Sequence, residues 1–135
     1  MGLAERRAIK DFQDNHLPKL QAEIHKAAGF PVPIEVNWEQ LATEGQSHLF
    51  VEGWTDVFFK PVIEALRQIG RDAMGQDALK AGLKKIEFRN ASGYYSPGSA
   101  ISFQNGTLMF DHELSNVGDI NDRTKAAIEL MEKSL

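Results

Sequence analysis

Residues 100–112 have the sequence AISFQNGTLMFDH and contain the clearest local structural signal of the chain. Asn105-Gly106 is the preferred pair for a two-residue type I′ turn, because both central positions need a positive φ. A two-residue turn pairs Gln104 with Thr107 and Phe103 with Leu108. In that register the alternating apolar residues of both arms fall on one side, so the pattern and the turn predict the same β-hairpin.

Two further segments have the alternation that is typical of strands. We expect strands at residues 34–38 and 85–89, in addition to the hairpin strands at 100–104 and 107–112. Strands that cluster late in the chain around one tight hairpin favour an antiparallel sheet of three or four strands. The fold class predicted from the sequence is therefore α+β, with helices packed on one face of this sheet.

Apolar residues at spacings of three and four predict the helices. The first covers about residues 3–28 and is interrupted at Pro18, which cannot donate a backbone hydrogen bond. Others are expected at about 55–73, 76–84 and 119–133. Residues 43–47 are expected to form a loop, and His48–Trp54 is open between a short strand and an irregular approach to the next helix.

Composition indicates one globular domain over residues 1–135, without disulfides. The chain has 42% hydrophobic and 25% charged residues, no cysteine and a formal net charge of −4. This acidic balance disfavours binding to nucleic acid or to an anionic membrane. No secretory signal follows Met1, and no apolar run is long enough for a membrane span. We therefore expect a cytoplasmic protein that binds neither nucleic acid nor a membrane.

Four polar residues near the end of the hairpin form a candidate site: Asp111, His112, Glu113 and Asp119. Carboxylates and imidazole are suitable for acid–base chemistry or a divalent cation. However, neighbouring strand residues point to opposite faces, and the spacing of a calcium loop is absent. The pattern therefore fits a strand end followed by a polar turn and a helix cap better than it fits a site. We expect no bound metal or cofactor, and the sequence identifies no catalytic residue.

Four aromatic residues form a candidate interaction surface: Trp54, Phe59, Tyr94 and Tyr95. The tyrosines lie in a glycine- and serine-rich connection, a composition that suits recognition loops. The sequence favours the other interpretation of this segment, a mobile connection whose tyrosines pack back on the sheet. The sequence favours a small binding module that acts on a protein partner or on a second copy of itself. The alternative is a small enzyme or cation-dependent protein with its site around Asp111, His112 and Glu113.

Overall fold

A computed structural model describes residues 1–135 as one four-stranded sheet with eight α-helices. The strands are β1 (Ile34–Val36), β2 (Lys85–Arg89), β3 (Ile101–Gln104) and β4 (Thr107–Asp111). The helices are α1 (Leu3–Asn15), α2 (Leu17–Ala28), α3 (Trp38–Leu41), α4 (Phe50–Trp54), α5 (Lys60–Ile69), α6 (Ala73–Gly82), α7 (Pro97–Ala100) and α8 (Ile120–Ser134). None of these helices is both long enough and apolar enough to span a bilayer.

The hairpin of β3 and β4 is confirmed with the predicted register. Gln104 pairs with Thr107 and Phe103 with Leu108. Asn105 has φ 52° and Gly106 has φ 80°, the positive values that a type I′ turn requires. The Gly106 carbonyl also accepts a hydrogen bond from the Lys84 amide at 2.8 Å, which attaches the turn to the start of β2.

Gly106→Ala is expected to destabilise the protein more than Gly93→Ala, which serves as the matched control. Both glycines have positive φ, so either substitution places alanine in the left-handed conformation, which costs roughly 1–2 kcal/mol. A Cβ at Gly106 would also lie 2.5 Å from Lys84 Cγ and 2.9 Å from the Gly82 carbonyl oxygen, whereas Gly93 faces open space. Urea unfolding should show an additional loss of about 1 kcal/mol or more for Gly106→Ala. Equal losses would contradict this contact.

The prediction that the sheet is antiparallel is wrong, because the sheet is mixed and mostly parallel. Its strand order is β1-β2-β4-β3, with β1 parallel to β2, β2 parallel to β4, and only the hairpin antiparallel. The helical segment between β1 and β2 is long enough to return the chain and make a parallel crossover. β4, rather than β3, then lies beside β2. The hairpin therefore pairs with β2 in parallel instead of antiparallel.

Several predicted element boundaries also differ from the structure. The helix expected to reach residue 73 ends at Ile69, and the helix expected at 76–84 covers Ala73–Gly82. The first strand ends at Val36, because Asn37 caps α3 by accepting a hydrogen bond from the Gln40 amide at 3.1 Å. His48–Trp54 is helical rather than a strand. The helix expected from residue 55 begins at Phe50 and continues to Ile69. The predicted break near Pro18 is confirmed, since α1 ends at Asn15 and α2 begins at Leu17.

One cluster of 28 buried hydrophobic residues joins the helices to one face of the sheet. The sheet contributes Ile86 and Phe88 from β2 and Leu108 and Phe110 from β4. The ring centroids of Phe88 and Phe59 lie 4.9 Å apart. This contact connects the sheet to the central helix, by which we mean the continuous helical segment from Phe50 to Ile69. The polar residues that alternate with these positions lie on the opposite face.

A single π-helical turn, Thr55–Phe59, joins α4 to α5. The Lys60 amide donates to the Thr55 carbonyl five residues earlier, and the next residue, Pro61, has no N–H to continue this pattern. The carbonyl of Asp56 therefore has no helical partner in this register. Arg123 of α8 provides one instead, because its Nη2 donates to this oxygen at 3.2 Å.

Candidate functional site

The connection from β2 to β3 crosses the carboxyl end of β4. β4 lies between β2 and β3, and residues 90–99 must therefore pass over its last residue, Asp111. We call residues 90–96 the tyrosine loop. Asp111, the last residue of β4, and Glu113, which follows β4, both form hydrogen bonds with this loop.

Asp111 uses both carboxylate oxygens to hold the beginning of the tyrosine loop. Its Oδ1 accepts hydrogen bonds from the amides of Ala91 at 2.8 Å and Ser92 at 3.1 Å, and its Oδ2 accepts from Ser92 Oγ at 3.0 Å. Arg89 Nε lies 3.4 Å from Oδ2. Burial raises the pKa of Asp111, but these hydrogen bonds and the Arg89 charge together outweigh it, so the pKa falls below its ordinary value.

His112 is buried and attaches the chain to β2. Its amide donates to the Arg89 carbonyl at 3.0 Å, and its ring Nδ1 lies 2.6 Å from the Glu113 carbonyl. Because a carbonyl only accepts, Nδ1 carries the proton, which leaves Nε2 as the acceptor of a neutral ring. Burial is the main cause that lowers the pKa of His112, and the nearby Arg123 charge lowers it further. His112 is therefore neutral at physiological pH and is not exposed to a substrate.

Glu113 and Asn116 hold the second half of the tyrosine loop. The Glu113 amide donates to the Tyr94 carbonyl at 2.8 Å, and Asn116 Nδ2 donates to the Tyr95 carbonyl at 2.7 Å. Asn116 Nδ2 also donates to Asp119 Oδ2 at 2.7 Å. The Glu113 carboxylate accepts from the amides of Ser115 and Asn116 and from Ser115 Oγ. These bonds lower the pKa of Glu113 although burial acts to raise it.

Both tyrosine rings remain exposed while their backbone is bonded. Tyr94 is 43% exposed and Tyr95 is 72% exposed. Neither tyrosine side chain has a hydrogen bond to the protein or lies near another aromatic ring. We call Asp111, His112, Glu113, Asn116 and Asp119 the polar cluster. The sequence suggests the polar residues and the two tyrosines as separate candidates, but hydrogen bonds join them in one structure.

Trp54 and Phe59, the other two members of the candidate surface, are fully buried, so neither can contribute to an interaction surface. Trp54 stacks on Phe50 at 4.4 Å between ring centroids and donates from Nε1 to the Leu41 carbonyl at 3.1 Å. Phe59 packs between Phe12 and Phe88. The central helix lies between the N-terminal helices and the sheet, so a wide arc of its surface is buried.

The four candidate polar residues share a neighbourhood but do not converge on one point. The carboxylates of Asp111 and Glu113 accept hydrogen bonds from different segments, and His112 is buried with its Nδ1 bonded. No group of three or more His, Asp or Glu side chains is arranged to hold a metal ion. The arrangement orders a loop.

Sequence reasoning missed Arg123, which is fully buried beside this cluster. Burial lowers its pKa, while Asp119 and Asp56 act in the opposite direction. Its Nε and Nη1 have no hydrogen-bond partner, and its Nη2 bonds the free carbonyl of the π-helical turn. The available signal was its position, since residue 123 falls on the same helical face as the apolar Ile120 and Ala127.

Stability is expected to fall on acidification, in two steps. Between about pH 6.5 and the lowered pKa of His112, the unfolded chain binds a proton that the folded chain does not, so unfolding becomes easier. Below about pH 4.5 the same argument applies to Asp111 and Glu113, whose pKa values are also lowered. Urea unfolding midpoints across this range measure the effect. His112→Gln should remove the upper step, and an unchanged upper step in that variant would contradict the assignment.

Comparison with models of known protein families, with curated proteins and with solved structures found no match to this chain.

Proposed function

We propose that this chain is a protein-interaction module that binds a protein partner through Tyr94 and Tyr95 of the tyrosine loop. The observation that carries the proposal is the division of roles within the loop. Its backbone is held by Asp111, Glu113 and Asn116, whereas its two large side chains are exposed and make no hydrogen bond or aromatic contact within the molecule.

Ordering of the loop supports binding because it reduces the entropy that association would otherwise lose. Tyrosine provides a large amphipathic contact area with few rotatable bonds, and it is enriched at the centres of interfaces. A loop that served only as a connection would not require two exposed tyrosines. Five hydrogen bonds from the polar cluster order this loop, which is more than a surface connection requires.

The test is capture of partners from the source cell with the wild-type chain, with Tyr94→Ser/Tyr95→Ser and with the control Met74→Ser. Met74 is 82% exposed on α6, so its replacement removes exposed apolar surface elsewhere. The tyrosine variant should retain wild-type stability within about 0.5 kcal/mol, since both rings are exposed. Its affinity for the captured protein should fall by about 30-fold or more, because an interface tyrosine contributes about 2 kcal/mol.

Sedimentation velocity of the same three proteins determines whether the partner is a second copy of the chain. Concentration-dependent association of the wild type and Met74→Ser, absent from the tyrosine variant, would identify self-association through the loop. Binding that survives in the tyrosine variant at full affinity, or that is lost equally in Met74→Ser, would contradict the proposal. The absence of any partner in both experiments would also count against it.

A further inference from the structure

A second site lies away from the tyrosine loop, in a cleft of about 430 Å³ between α2 and α5. One wall contains Asn15, His16 and Lys19, and the other contains Thr55, Lys60 and Arg67. A cleft of this volume falls in the range of about 300–1,000 Å³ that is usual for small-molecule sites. It shares no residue with the polar cluster.

The cleft lies where two helical irregularities face each other. On one wall the chain is broken between α1 and α2, around His16 and the following Pro18. On the other wall Thr55 begins the π-helical turn and Lys60 follows its end. Turns of this kind recur at functional sites, because they interrupt regular helix packing and reorient side chains.

The charge of the cleft contrasts with that of the whole chain. Three cationic side chains line it against two carboxylates, Glu23 and Glu64, whereas the whole chain has a net charge of −4. Arg67 is paired with Glu64 at 2.7 Å. Lys19 and Lys60, on opposite walls, have no carboxylate within 4.0 Å. These two unpaired ammonium groups are available to an anion that enters between the walls.

The floor of the cleft is apolar. Leu20 and Ile63 line it, and both are nearly buried. A bare phosphate ion would leave this floor and most of the volume without contacts, whereas an attached organic group would cover it. The hydroxyl of Thr55 and the side-chain amide of Asn15, which donates one hydrogen bond to Asp11 Oδ1 at 2.7 Å, also line the cleft.

We propose that this cleft binds a small organic phosphate, whose phosphate group lies between Lys19 and Lys60 and whose organic part covers Leu20 and Ile63. A phosphate carries close to two negative charges at neutral pH, which matches two unpaired lysines better than a carboxylate does. Binding is expected to weaken as salt is added, because both lysines are exposed to solvent.

The experiment is a two-dimensional NMR titration of the labelled chain with phenyl phosphate, inorganic phosphate, benzoate and phenol at millimolar concentrations. Phenyl phosphate should shift the amide signals of Asn15, His16 and Lys60 and should bind more tightly than the other three. In Lys19→Gln/Lys60→Gln its affinity should fall by about tenfold, since two favourable charges are removed. The charge-matched control Lys125→Gln/Lys133→Gln, with both substitutions on exposed residues of α8, should bind like the wild type.

Three results would overturn the proposal. One is a set of phenyl phosphate shifts that lie outside the cleft or are absent. Another is an equal loss of affinity in both double variants, which would reflect net charge rather than a site. The third is benzoate or phenol binding as tightly as phenyl phosphate, which would remove the phosphate as the recognised group. Each result is independent of the tyrosine loop, so the outcome does not depend on the proposed interaction function.

Discussion

Asp111→Ala is expected to lower the free energy of unfolding by about 3 kcal/mol and to release the tyrosine loop. The carboxylate accepts three hydrogen bonds from Ala91 and Ser92 and lies beside Arg89. Hydrogen bonds to a charged group contribute roughly 1.5–3 kcal/mol each, and part of this is offset by the burial of the carboxylate. Urea unfolding monitored by circular dichroism measures the loss.

Asp111→Asn is the matched control for this substitution. It retains one acceptor oxygen and nearly the same volume but removes the negative charge that faces Arg89. An intermediate loss of stability is therefore expected, with the loop still partly ordered. A loss below about 1 kcal/mol in Asp111→Ala would mean that the carboxylate does not hold the loop in the way these distances indicate.

Arg123→Ala is expected to destabilise the protein by about 4 kcal/mol. The substitution leaves a cavity where a fully buried side chain lies, and it removes the hydrogen bond to the Asp56 carbonyl. Cavity formation and a buried carbonyl without a partner together account for a loss of this order. Thermal and urea unfolding, compared with the wild type at neutral pH, provide the measurement.

Arg123→Met separates the volume of this side chain from its charge. Methionine fills much of the same space and removes a buried charge whose Nε and Nη1 have no hydrogen-bond partner. Only the carbonyl is then left without a partner, so the loss should be about 2 kcal/mol smaller than in Arg123→Ala. If both variants lose the same stability, the charge rather than the volume of Arg123 would be the essential feature, contrary to our interpretation.

Local features of this fold could be predicted from the sequence, and pairing over long distances could not. The hairpin register depends on a two-residue turn at Asn105-Gly106 and on alternation within twelve residues, so it was available in one segment. The position of β4 between β2 and β3 depends on how residues 90–99 cross the sheet, and no local pattern encodes that path. The parallel pairing therefore became visible only in three dimensions.

In the candidate site, too, the local residues could be predicted and their distant partners could not. The polar segment around Asp111 and Glu113 stood out in the sequence, but its hydrogen-bond partners in the tyrosine loop lie about twenty residues earlier. The burial of Phe59 has a different cause. Helical geometry places Phe58 and Phe59 about 100° apart, which left the exposure of Phe59 open. Packing against both α1 and the sheet buries the two rings together.

The most direct test of the central claim, that the polar cluster holds the tyrosine loop in one conformation, is ¹⁵N relaxation of residues 91–95. In the wild type, we expect order parameters near 0.85, about the value of rigid backbone, and protection of the Ala91 and Ser92 amides from exchange. In Asp111→Ala, values below about 0.6 are expected for the same residues. Low order parameters in the wild type, or equal values in both proteins, would contradict the account.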